Sequence, residues 1–291
     1  MLVDTPSTEG RTMNLRGILV LLGDDAPSAA REHLASRLAV AHQAHLTGIA
    51  PTGRPDIEGT ASAAHAIEVA DHARDDAWQH AGHLARRFRE AARAEGVVSV
   101  DAEAAEGAAL PLLMHHAACH DLVVVSPPPA ASPGWRSGVH FVEQVLAHNP
   151  RPTLVVPGAG RFEQAGRNVV VAWDDSPAAV RATTDALPVL RQAERVLLCV
   201  WRRASEAADN GIAMRLAEVC RWLERHGVTA DTRVTRAAGA IGDTMLSDAA
   251  KLGADLIVMG TYGHSRWIER VTGGVTRTAL LHAPMPLWMS R

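Results

Sequence analysis

At 291 residues the chain is longer than an ordinary single domain of roughly 100 to 200 residues, so two domains with separate cores are expected. Hydrophobic residues at 47% and charged residues at 21% fit a folded globular protein and argue against a disordered or fibrous chain. A formal net charge of −3 gives no electrostatic footprint for nucleic acid or for an anionic membrane surface, and neither is expected as a partner.

The chain opens on a polar stretch, residues 1–13, that mixes acidic and basic residues and lacks the apolar core of a secretory signal. It reads as a flexible tail, with Met13 as an alternative start. No later run reaches about 18 apolar residues. Cys119, Cys199 and Cys220 are odd in number and far apart, which fits a reducing cytoplasm better than a disulfide framework or a four-cysteine zinc site.

The first apolar run reads GILVLLGDDAPSA, and after a polar, Gly-rich stretch at 158–167 a second run reads NVVVAWDDSPAA. Asp24, Asp25 and Pro27 match Asp174, Asp175 and Pro177 at an offset of 150 (174 minus 24). The next runs keep that register, His45–Ala50 falling on Arg195–Val200. Further on, Asp121-Leu-Val-Val-Val matches Asp255-Leu-Ile-Val-Met at an offset of 134 (255 minus 121), as Pro152 matches Pro286. Sixteen residues (150 minus 134) are therefore extra in the first copy, and the Gly/Pro/Ala-rich stretch 51–64 is the expected place for most of them.

Short Val/Ile/Leu runs alternating with helical periods are the signature of a parallel sheet covered by helices. In the second copy strands are expected near 169–173, 196–201, 229–235, 256–259 and 287–289, and helices near 178–191, 207–226, 241–252 and 274–282. Gly227 and Gly253 suit helix C-terminal caps. A doubly wound sheet places its ligand crevice at the carboxyl ends of the strands, where strand order reverses. The short, apolar last strands, 153–157 and 287–289, are expected at sheet edges that must be covered. Packing them together would make the two copies a pseudo-twofold dimer within one chain.

After the fourth strand of the second copy comes Gly260-Thr-Tyr-Gly263, then nine residues, then Gly273-Gly274-Val275-Thr276 opening a helix. Such spacing suits a backbone that approaches a ligand closely, and a helix N-terminus there can hold a phosphate on its N–H groups. The same glycines also suit mere capping and turning. In the first copy the four positions read Ser126, Pro129, Val139 and His140, which cannot cradle phosphate in the same way. His116 and His120 share a helical face at i and i+4, but no third metal ligand converges with them. Asp24-Asp25 and Asp174-Asp175 read as turns before helices rather than as paired catalytic acids. No G-x-S-x-G, Walker A or G-x-G-x-x-G signature is present, so no enzymatic activity is expected beyond incidental slow ATP hydrolysis.

The loop resembles the motif of the ATP-binding universal stress proteins: Gly, two residues, Gly, nine residues, Gly, then Ser or Thr. The likeness covers the second copy, from Val171-Ala-Trp-Asp174-Asp-Ser, through Gly239, to Ala283-Pro-Met-Pro286. It implies two tandem α/β domains of flavodoxin-like (adenine nucleotide alpha hydrolase-like) fold, each a five-stranded parallel sheet with helices on both faces. Residues 14–158 would form a degenerate copy and 166–291 the copy that keeps the glycine loop. Carried over, Ala172, Asp174, Val200 and Met259 would flank adenosine, while Gly260, Gly263, Gly273, Gly274, Val275 and Thr276 would line ribose and phosphates. The ligand would be ATP or another adenine nucleotide, with no metal beyond its Mg, and whole chains would form homo-oligomers. Gly274 departs from the pattern, since it stands where the family has a hydroxyl worth about 0.5–1.5 kcal/mol as a hydrogen bond. Thr276, Arg277 and Arg266 are the nearest groups that could substitute. Two roles stay open: a nucleotide-binding stress sensor or regulator, and a structural or interaction module that binds no nucleotide.

Overall fold

The computed structural model describes residues 14–53, 63–129, 132–206, 211–261 and 274–291. The expected tail, residues 1–13, lies outside them. The first half runs β1 (Gly17–Leu21), α1 (Ser28–His42), β2 (His45–Pro51), α2 (Ala63–Ala94), β3 (Val100–Ala105), α3 (Ala109–Ala117), β4 (Leu122–Val125), α4 (Trp135–His148) and β5 (Thr153–Val155). The second half runs β6 (Asn168–Ala172), α5 (Pro177–Asp185), α6 (Leu187–Leu190), β7 (Arg195–Arg203), α7 (Ile212–Arg225), β8 (Asp231–Ala237), α8 (Ile241–Lys251), β9 (Leu256–Gly260), α9 (Val275–His282) and β10 (Leu287–Ser290).

The unbroken apolar runs become strands because side chains alternate across the sheet and both faces are covered. Ile18 and Val20 enter the core on one face while Leu19 enters the core on the other. Val169 and Val171 divide from Val170 in the same way. The repeated aspartate before each fourth strand has a structural task. Asp121 accepts from the backbone N–H groups of Arg16 and Gly17, and Asp255 from those of Gly166, Arg167 and Asn168, tying the start of the first strand to its neighbour.

The second-half elements fall where the sequence places them, with three differences. The helix expected over 178–191 is two, α5 and α6, because Pro188 has no N–H to continue a hydrogen-bond ladder through Ala186. The third strand sits about two residues later than expected, at Asp231–Ala237. The long helix is described from Ile212, part of its expected start (207–210) lying outside the described residues. Gly227 and Gly253 take positive φ of 77° and 67°, as helix-ending glycines do.

The surplus of the first half lies between β2 and β3, but mostly not in the Gly/Pro/Ala-rich stretch. Thr47 pairs with Asp101 and Leu197 with Asp231, so the offset there falls to 130 (231 minus 101) before recovering to 134. Helix α2 has 32 residues against 14 in α7, and this length carries most of the difference.

Among the described residues all ten strands join one sheet, ordered β3-β2-β1-β4-β5-β10-β9-β6-β7-β8. Neighbours are parallel except β5 and β10, which pair antiparallel at the centre. Order reverses between β1 and β4 in one half and between β6 and β9 in the other, so each half has its own switch-point crevice.

The two halves are related by a pseudo-twofold axis that can be located from residue pairs. A residue on such an axis contacts its own equivalent. In the sheet Leu154 pairs with Trp288, which is equivalent to it at offset 134 (288 minus 154). On one face the His42 ring Nδ1 lies 3.1 Å from the Gln192 amide nitrogen, across an offset of 150. On the other, the Arg277 guanidinium donates to Glu143 at 3.1 Å, again 134 apart. Trp288 is fully buried in this seam, and both face cores run through it from one half into the other.

Candidate functional site

Parallel pairing brings the carboxyl ends of β6, β7 and β9 to one level, with Ala172 in register with both Cys199 and Met259. Val200 follows Cys199 by one residue. Of the expected adenosine-flanking residues, Ala172, Val200 and Met259 are thus brought together at the switch point. Met259 and Val200 are both buried, Met259 toward the core on one face of the sheet and Val200 toward the core on the other.

The turn after β6 is built from its own sequence. Asp174 accepts from the Ser176 N–H at 3.1 Å, and Ser176 caps α5 by accepting from Ala179 N–H, with Pro177 in the first turn. Asp175 takes φ of 60° and accepts from the Trp173 indole at 2.8 Å and from Arg215 at 3.0 Å. The paired aspartates therefore form a turn, and Asp174 stays exposed above the crevice.

Gly260 has a packing reason to be glycine. A Cβ there would stand 2.5 Å from the backbone of Ala178 and Ala179 at the start of α5. Thr261 then donates both its N–H and its hydroxyl to the Ser290 carbonyl, fixing where the chain leaves β9. Gly263 and Gly273, with Arg266, lie outside the described residues. Gly274 is the residue before α9, with φ −54° and ψ 155°, a conformation open to any residue. Of its neighbours, Thr276 is buried at 5% exposure and Arg277 is engaged with Glu143, so neither side chain stands in for the missing hydroxyl.

Gly274 and Val275 border a cleft of about 470 Å3 at the carboxyl ends of β7 and β8, lined also by Arg203, Ser205, Gly239 and Gly242. The first turns of α8 and α9 converge on it, held close because Gly242 lies against Thr278. Two helix N-termini and one guanidinium on one cleft suit an anion. Arg203 and Ser205 are not among the residues expected from the sequence. Their signal was a basic pair, Arg202-Arg203, at the carboxyl end of a strand, with Arg202 held aside by Glu206 at 3.0 Å.

The first half differs at each equivalent place. Pro128 packs against Gly138 of α4, where no side chain would fit. Val139 and His140 lie inside α4 instead of before it. The buried Arg31 donates to the Leu21 carbonyl at the end of β1 and pairs with Asp25 at 2.9 Å, whereas the equivalent Arg181 is exposed and pairs with Asp185. His120 lies beyond the end of α3, not on a shared face with His116. Its ring bonds the His116 carbonyl and the Thr47 hydroxyl. Among the described residues no three His, Cys, Asp or Glu side chains cluster to hold a metal, and no helix is long and apolar enough to cross a membrane.

A model of the "Universal stress protein family" matches residues 166–291. Among solved structures, a universal stress protein from Archaeoglobus fulgidus is 14% identical with a TM-score of 0.68, over 94% of this chain and 98% of that one. A functionally unknown protein from Pseudomonas aeruginosa is 17% identical with a TM-score of 0.56, over 95% of this chain and 92% of that one. These likenesses extend the shared fold over both halves. No curated protein matches the chain.

Proposed function

We propose, from the premise that residues 166–291 are a universal stress protein domain, that this domain binds ATP or another adenine nucleotide and reports its occupancy as a stress-response sensor or regulator. The observation that carries the reading is the meeting of two helix N-termini, α8 and α9, on an open cleft at the carboxyl ends of β7 and β8, on the same side of the sheet's strand ends as Ala172 and Met259. Adenosine would rest against Ala172, Val200 and Met259, with Asp174 within reach of the ribose. The phosphates would run along the backbone at Gly260, Gly263, Gly273, Gly274, Val275 and Thr276, and Arg203 would add a charge-assisted contact. Mg would come with the nucleotide. Binding, rather than turnover, is the role assigned, and the domain limits are taken as 14–158 and 166–291.

Calorimetric titration of the full chain with ATP tests this. One nucleotide per chain is expected, since Arg31 and Pro128 close the first-half site. The change Gly274→Ser should tighten binding severalfold, and Asp174→Ala should weaken it about tenfold. Absence of saturable binding would leave the second reading, an interaction module of the same fold. That reading draws on Gly260, whose glycine is explained by packing alone, and on Arg277, which is spent on Glu143.

A further inference from the structure

At the end of the β5–β10 seam where β10 finishes, a cleft of about 330 Å3 opens between Arg151 of the first half and Arg181 and Arg291 of the second. We propose that this cleft is a binding site for a small phosphate-type oxyanion, inorganic phosphate or the phosphate of a phosphorylated small molecule, which bridges the two halves.

Charge is the first ground. Three guanidiniums border the cleft against one side-chain carboxylate, Asp185, which Arg181 meets at 3.3 Å. Arg151 donates to the Ala118 carbonyl at 3.2 Å and Arg291 to the Ala147 carbonyl at 2.6 Å. Those contacts orient the guanidiniums, and each has five N–H donors to share between carbonyl and oxyanion. Planar, forked donors suit phosphate geometry.

Ser290 is the second ground. It is only 4% exposed, it lines the cleft, and its hydroxyl has no hydrogen-bond partner. A buried hydroxyl without a hydrogen-bond partner gives up its water without replacement, so a native site that keeps one calls for a partner. Ser290 follows Trp288 by two residues and therefore shares its face of β10. Helix α5, which carries Arg181, packs on that strand.

The broken symmetry is the third. The pseudo-twofold axis generates a second cleft at the opposite end of the seam, about 180 Å3, lined by Pro127 to Pro129, Pro157 and Leu287 among others. At offset 134 Arg291 corresponds to Pro157, Ser290 to Val156, Arg151 to Met285 and Asn149 to Ala283. These four polar residues have apolar equivalents in the other half, whereas His148 and Arg181 keep polar ones in His282 and Arg31, so the Arg151, Arg291 and Ser290 side chains do not follow from the repeat. A share of about 30 Å3 per water makes 330 Å3 enough for phosphate with a small organic group attached.

The test is calorimetry on the full chain at constant ionic strength, with inorganic phosphate and with glycerol phosphate as separate probes. Saturable binding is expected for at least one, and the tighter probe identifies the source. Arg151→Gln and Arg291→Gln should each weaken it at least tenfold while leaving the ATP titration unchanged. Ser290→Ala should leave the unliganded melting temperature unchanged or higher and shrink the phosphate-induced rise. Affinity equal in parent and arginine variants, or no saturable phosphate binding, would overturn the proposal. So would an Ser290→Ala protein that melts lower unliganded yet keeps the full phosphate-induced rise.

Discussion

Gly260 and Gly274 are the same letter with opposite physical reasons behind them. At Gly260 the position of a Cβ is taken by the α5 backbone at 2.5 Å, and backbone cannot swing aside as the end of a long side chain can. Gly260→Ala should therefore cost about 1–3 kcal/mol of stability, read as a lower urea midpoint with an unchanged slope. A midpoint equal to the parent's would show that α5 yields. At Gly274 the backbone is unremarkable and the position is a helix N-cap, where Ser is better than Gly by a few tenths of a kcal/mol. Gly274→Ser should leave stability equal or slightly higher while it restores the family hydroxyl. The spacing of these glycines was legible in the sequence, but the reason for each was not. A glycine chosen for close packing, for a cap or for a ligand is written alike, and only the neighbours of its absent Cβ tell them apart.

At the scale of elements, strands were legible because an apolar run of four or five residues between helical periods has few other uses in a protein of this composition. Lengths were less so. The 32-residue α2 hid its extent because its Ala-rich, charged sequence has the same period whether or not it touches the core. The end of α1 shows a contact that no periodicity announces. His42 is 2% exposed where α1 meets α6, and burial lowers its pKa from 6.5 to about 4. The charged groups around it, Arg167 and Glu194, are 2.6 Å apart and satisfy each other. The folded protein holds His42 neutral while the unfolded chain protonates it below its ordinary pKa. Its contribution to stability is therefore complete above about pH 6.5 and is lost as pH falls through about 4, amounting to about 3 kcal/mol. Urea denaturation from pH 7 to 4 should show that loss in the parent and a correspondingly flatter profile in His42→Gln. Parallel profiles would mean that other groups carry the acid sensitivity.

For the whole molecule, the chain solves the problem of its apolar last strands by joining them, and the pseudo-twofold relation dictates how. Two equivalent strands meeting across a twofold axis must run antiparallel, so an otherwise parallel sheet of ten strands has one antiparallel pair at its centre. The need to cover those edges could be argued from the repeat; the axis itself required the residue pairs His42–Gln192, Leu154–Trp288 and Glu143–Arg277. These three span the molecule from one helical layer through the sheet to the other. The outer pair offers a direct test. Glu143 and Arg277 are on helices α4 and α9, their side chains meet at 3.1 Å, and neither is in the sheet, so cysteines there should leave folding intact. With the exposed Cys119 changed to Ser, a Glu143→Cys/Arg277→Cys protein treated with a short bifunctional thiol reagent should crosslink within one chain at every dilution. It should then run as a compact monomer in denaturing gels, and its urea transition should move to higher denaturant, because a tether between the halves removes conformations from the unfolded chain. If the linked product were mainly a dimer of chains, and faded on dilution, the seam would join two molecules instead of the two halves of one.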